Sequence, residues 1–165
     1  MAINRTKSRH QGVLLAVTLC VAGLLSMPLQ AADHAPAAGD GPLPALSNSK
    51  TESNPYRDQA DVATIGREIF NHNCSRCHGI DAVASGAGAM PAPDLRRLGS
   101  YCRRLKDETF KTTCRNDTDA YFLKSALKGK TIVGVEHMPA WEKILSRESL
   151  WAIRTYLESR GGKPR

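Results

Sequence analysis

The sequence predicts an all-α domain of about 105 residues, spanning residues 56–160 of the 165. Two observations predict it. Three stretches place apolar residues at helical spacing, each with a start or stop signal beside it. No pair of alternating apolar–polar runs is present to make a sheet.

The first helix is expected over Ala60 to His72, where Val62, Ile65 and Phe70 fall on one stripe and Gly66 lies one turn before Phe70. The second is expected over Asp119 to Lys128, after the capping candidates Asp117 and Thr118, presenting Tyr121, Phe122, Ala126 and Leu127. Ser146 caps the third, which carries Leu150, Ile153 and Leu157 and stops at Gly161-Gly162.

Upstream, residues 1–31 read as a signal peptide. Arg5, Lys7 and Arg9 precede an apolar run from Val13 to Leu25, and small residues follow at Ala31 and Ala32. The run is shorter than the ~20 residues a spanning helix needs. Cys20 sits inside it behind bulky Leu19, against the small residue a lipoprotein site would want. Residues 32–55, rich in Pro, Ala, Gly and Ser, read as a flexible linker or tail, and 161–165 as a short C-terminal tail. Loss of the signal peptide removes three basic residues and no acid, so the net charge falls from +7 to +4. The basic balance is therefore partly the signal peptide's, and it gives nucleic-acid binding no support. Four cysteines remain of five, an even number suited to an oxidising compartment, here the periplasm.

The chemistry lies in Cys74-Ser75-Arg76-Cys77-His78, the attachment pattern of a c-type haem. Two thiols three residues apart at a helix end each reach one haem vinyl group, and the next residue turns its imidazole to the iron. The same Cys-x-x-Cys could be a redox dithiol or half a zinc site. No second ligand pair stands at zinc spacing, and no βαβ pattern surrounds it. With a single such motif and no internal repeat, the expectation is one domain, one covalently attached haem and a monomer.

The sixth iron position decides the function. A thioether there raises the potential and closes the iron to outside ligands, giving an electron carrier. An open position would instead give a peroxidase-like enzyme or a gas sensor. Met90-Pro91-Ala92 and Met138-Pro139-Ala140 both offer a methionine. Met90 is twelve residues past His78, too short a route around the proximal side, whereas Met138 is sixty residues on with a helix between. Met138 is the expected ligand; Met90 fits better as a core methionine, and His137 is a third candidate. Cys102 and Cys114 have no haem role. A disulfide between them would close the charged loop Arg103 to Glu108 and contribute ~3 kcal/mol in the chain-entropy model; two free buried thiols are the alternative.

From about Asn54 to Ser159 the chain resembles the class I cytochromes c, with the attachment motif near the domain's start and Met-Pro near its end. The resemblance implies that Gly66 and Phe70 lie where the first helix crosses the last, against Tyr156 and Leu157. It also implies that the Pro93 carbonyl accepts a hydrogen bond from His78 Nδ1. More narrowly, Gly66 to Phe70, Cys74 to Gly79, Ala92 to Arg96, the Cys102/Cys114 loop and the run from Met138 to Ile153 are similar to cytochromes that accept electrons from quinoprotein (PQQ-dependent) alcohol dehydrogenases. The resemblance implies an electron carrier, not an enzyme, with such a dehydrogenase as donor and a downstream cytochrome or terminal oxidase as acceptor. Arg96, Arg97, Arg103, Arg104 and Lys106 form a basic cluster suited to steering an acidic partner.

Overall fold

The computed structural model describes residues 42–84 and 92–161. Helix α1 (Ala60–Asn73) buries Val62, Gly66, Ile69 and Phe70, so its apolar stripe is the inward face expected of it. Helix α4 (Arg147–Arg160) starts where Ser146 Oγ accepts from the Ser149 amide at 3.1 Å and ends at Gly161. Every residue of α4 from Ser149 to Leu157 is buried. A helix covered all round is a core helix, and the rest of the domain is built on it.

The two helices cross at Gly66. A Cβ there would stand 2.0 Å from the Ala152 carbonyl oxygen, so only glycine lets the backbones approach this closely. One turn on, the Phe70 and Tyr156 rings meet at 5.6 Å between centroids, tilted by 50°.

Helix α3 runs from Glu108 to Lys128, eleven residues longer at its start than the sequence predicts. Asp107 caps it by accepting from the Phe110 amide at 3.0 Å. The expected caps lie in mid-helix, where Thr118 donates its hydroxyl back to the Cys114 carbonyl at 2.8 Å. Residues 108–118 are polar on nearly every face, so no stripe marks them as helix. The structure joins Cys114, on α3, to Cys102 in a disulfide with Cα atoms 5.5 Å apart. The closed ring therefore holds two turns of helix as well as the charged loop.

A second correction is a small sheet. Strands β1 (Lys130–Ile132) and β2 (Val135–Met138) pair antiparallel across a two-residue turn at Val133-Gly134, both with positive φ, the pattern of a type I′ turn. The alternation is too short to be seen in the sequence. Gly129, at φ +68°, ends α3 and admits the Met138 carbonyl, which would stand 2.4 Å from a Cβ at that position.

An ionic cluster ties the start of the domain to α3 and α4. Asp119, fully buried, accepts from Arg154 Nε at 2.7 Å, from the Asn54 amide at 2.9 Å and from Arg57. Glu158 takes Arg154 Nη2 at 3.2 Å, Asn54 Nδ2 at 2.9 Å and Arg57. Within the stretch expected as linker, Leu43 and Leu46 pack against the core and Tyr56 donates its hydroxyl to the Pro44 carbonyl. Among the described residues no helix is long and apolar enough to cross a membrane.

Candidate haem site

The end of α1 carries the site. Cys74 follows its last residue, and a one-turn helix, α2 (Ser75–His78), holds the rest of the motif. Backbone bonds from His78 N to Cys74 O at 3.0 Å, and from Gly79 N to Ser75 O at 2.8 Å, keep this turn helical. At this spacing the two cysteines project from one side of it. Both thiols are free, Cys77 exposed and Cys74 half-buried, while Cys102 and Cys114 are paired.

His78 is buried, and its Nδ1 lies 3.1 Å from the Pro93 carbonyl oxygen. A carbonyl only accepts, so Nδ1 carries the proton and the bare Nε2 lone pair is left available. No hydrogen bond occupies Nε2 among the described residues. Burial lowers the His78 pKa and the Pro93 bond partly opposes it, which favours the neutral imidazole a metal needs.

The loop after His78 is held from α4. Asp81, at φ +57°, accepts from Tyr156 Oη at 2.9 Å and from Arg67 Nε at 2.9 Å, and its amide donates to Asn71 Oδ1 at 3.2 Å. These hydrogen bonds and Arg67's charge hold the Asp81 carboxyl at a pKa of about 2, and burial raises the Tyr156 phenol to about 12. In the sequence, the only mark of Asp81 is its position three residues past the histidine. The buried Asp119 reads there as no more than a helix start.

Met138 ends β2, half-buried, and no hydrogen bond joins its sulfur to His78 or either cysteine among the described residues. His137, on the same strand, is exposed. Met90 lies outside the described residues. Of the basic cluster, Arg96 is committed to Asp94 through bonds of 3.0 and 2.8 Å, whereas Arg97, Arg104 and Lys106 are exposed.

These residues fit a covalently held haem. The Cys74 thiol has a pKa pushed up to about 12, first by burial and then by Cys77. Among the described residues no group of three metal-ligating side chains exists to make a zinc site. Ile80 beside the motif, and Ile132, Val133 and Val135 near Met138, are exposed.

Comparison with known proteins bears on the same stretch. Residues 61–157 match the family model described as cytochrome c oxidase, cbb3-type, subunit III. The chain is 35% identical over 148 residues to cytochrome c550 of Pseudomonas aeruginosa, covering 86% of this chain and 90% of that protein. It is 26% identical over 97 residues to cytochrome c6 of Euglena gracilis, covering 59% and 91%. No solved structure matches it significantly. A helix crossing closed by a glycine, an attachment motif on a helical turn and these matches agree, and the chain belongs to the c-type cytochromes of the class I fold, electron-transfer proteins that carry covalently bound haem c and are not enzymes.

Proposed function

We propose that this is a monomeric, single-haem electron carrier of the periplasm, exported by a signal peptide cleaved after residue 31. Cys74 and Cys77 hold the haem through thioethers, and His78 Nε2 and Met138 Sδ bind the iron. The haem supplies a one-electron iron couple when bound. The residues supply everything else. The Pro93 carbonyl fixes the tautomer and ring angle of His78, and a bond of this kind also raises the basicity of the metal-facing nitrogen. Tyr156 and Asp81 fasten the segment that follows His78 to α4. The β-hairpin carries Met138 as a soft, neutral ligand that favours the reduced iron.

The observation that carries this reading is the state of His78: buried, Nδ1 on the Pro93 carbonyl at 3.1 Å, Nε2 without a partner, one turn from two free thiols. Optical spectroscopy of the purified oxidised protein tests it. Met138→Ala is expected to abolish the near-infrared-edge band of methionine-ligated ferric haem, and Met90→Ala to leave it. Loss of the band on the Met90 change alone would move the ligand to Met90. A parent protein that lacks the band would point to His137 or to an open position, and so to the peroxidase-like or gas-sensing alternative.

The donor follows as a narrower proposal: a quinoprotein (PQQ-dependent) alcohol dehydrogenase, with a downstream cytochrome or terminal oxidase as acceptor. Arg97, Arg103, Arg104 and Lys106 are the exposed cations of the basic cluster, Arg103 with long bonds to backbone carbonyls, while Arg96 is tied to Asp94. Electrostatic steering acts on the encounter rate and is screened beyond ~8 Å at physiological salt. Charge reversal of Arg97 or Arg104 is expected to slow stopped-flow reduction by such a dehydrogenase without changing the haem spectrum. No reduction at any ionic strength would remove this donor and leave the carrier.

A further inference from the structure

A cavity of about 580 Å³ opens between the start of α1, the first half of α3 and the end of α4. None of its walls belongs to the residues assigned to the haem. Four cations face it, Arg103, Lys111, Arg115 and Arg154, against two carboxylates, Asp58 and Glu158. How each charge is already committed decides what the cavity can hold.

Arg154 is 1% exposed. Its Nε is on Asp119 and its Nη2 on Glu158, but Nη1 is buried with no partner among the described residues. Leaving a buried donor of a charged group unpaired costs more than the ~1–3 kcal/mol of a neutral one. Arg103 makes only two long bonds to neutral acceptors, the Leu98 carbonyl at 3.3 Å and the Arg96 carbonyl at 3.4 Å. Burial lowers its pKa, the neighbouring charge of Arg154 lowers it further, and Glu158 opposes both. Arg115 has no hydrogen bond or ion pair among the described residues. Lys111 is paired with Glu108. Glu158 is already divided between Arg57, Arg154 and Asn54. Asp58, the other carboxylate, is exposed and has no ion pair among the described residues. Arg103 and Arg115 thus line the cavity without an ion pair, and Arg154 has one unpartnered buried nitrogen.

We propose that this cavity binds a phosphate-type oxyanion, gripped by the forks of Arg103 and Arg115 over Arg154. Planar guanidiniums suit the tetrahedral oxygens of phosphate, because two N–H groups of one fork meet two oxygens. The oxyanion could be free or the diphosphate of a nucleotide. The shared chemistry is a multivalent anion too charged for the chain's own carboxylates to replace.

Isothermal titration of the oxidised, haem-loaded protein with pyrophosphate, at constant ionic strength, tests the site. The expected result is a saturable one-site isotherm. Arg103→Gln and Arg115→Gln should each weaken it by about ten-fold, the loss of one charge-assisted contact. Lys143→Gln, exposed and outside the cavity, should leave it unchanged, and an unaltered haem spectrum in all three would show that they fold. A parallel titration with a nucleoside diphosphate distinguishes the sources: tighter binding than pyrophosphate assigns the nucleotide, equal binding the oxyanion alone. A non-saturating isotherm, or binding that both arginine variants retain, would overturn the proposal.

Discussion

The two ends of the structure are finished differently. Where α1 crosses α4, protein fills the space: Gly66 admits the Ala152 carbonyl, Phe70 meets Tyr156, and Ile69, Ile153 and Leu157 are buried around them. On the segments that carry the motif and Met138 the chain leaves apolar surface uncovered, with Val133 97% exposed, Ile80 61%, and Ile132 and Val135 each 55%. A domain of this size has a marginal core. The crossing is completed by side chains, whereas these residues on the motif and hairpin segments stay exposed. The difference predicts that substitutions at the crossing act on folding, whereas replacing Met138 itself, under the proposed ligation, acts on the iron.

The strongest way to break that comparison is Gly66→Ala. A methyl group cannot share space with a backbone oxygen 2.0 Å away, and the helices would have to part along their length. Overpacking in a core costs about 1–3 kcal/mol when side chains can give way, and here the obstacle is backbone. A loss above about 3 kcal/mol is expected in denaturant unfolding of the haem-loaded protein, against an ordinary surface Gly→Ala, which is mildly stabilising. A loss below about 1 kcal/mol would show that the crossing is looser than drawn.

The crossing was also the part most legible in the sequence. Glycine one turn from phenylalanine, and the spacing of Leu150, Ile153 and Leu157, are patterns that packing imposes directly. The attachment motif was equally visible, because covalent chemistry fixes its spacing. What was not legible shares one property: its cause lies far away in sequence. The first half of α3 has no apolar stripe, and what holds it is the cap at Asp107 and the bridge from Cys114 to Cys102. Asp119 looks like a helix start and is instead the buried anchor of Arg57 and Arg154. The hairpin depends on positive φ at Val133 and Gly134, and a β-branched residue at such a position gives no turn signal at all.

That hairpin offers a smaller effect of opposite sign. Val133, at φ +49°, occupies a conformation that costs a β-branched residue about 1–2 kcal/mol and that asparagine tolerates, and its side chain touches almost nothing. Val133→Asn should therefore stabilise the protein by about 1 kcal/mol in thermal unfolding. The methionine-ligation band should stay, since the register from Ile132↔Val135 to Lys130↔Met138 is unaltered. A destabilised variant would mean that Val133 makes contacts in the haem-loaded protein, against its exposed place at the hairpin tip.

The smallest expected effect sits on a contact that joins the two regions, the hydrogen bond from Tyr156 on α4 to Asp81 behind His78. Arg67, which shares this carboxylate, is 56% exposed, so water screens the ion pair and its worth is small. Its pH dependence is nevertheless diagnostic. The Asp81 pKa lies at about 2 in the folded protein against an ordinary 3.8, so folding favours the ionised form. The stabilisation is complete above about pH 4 and is lost as the pH falls towards 2, once the carboxyl takes up a proton in the folded state too. Asp81→Asn should therefore be less stable than the parent at pH 7 and approach it at pH 2.5, both measured by denaturant midpoint on the haem-loaded protein. Arg67→Gln should reproduce part of the difference and Tyr156→Phe another part, because each removes one of the two donors. A gap that stayed constant from pH 7 to 2.5 would mean that Asp81 acts through its shape alone. The link between the packed crossing and the histidine segment would then be steric, with no charge in it to titrate.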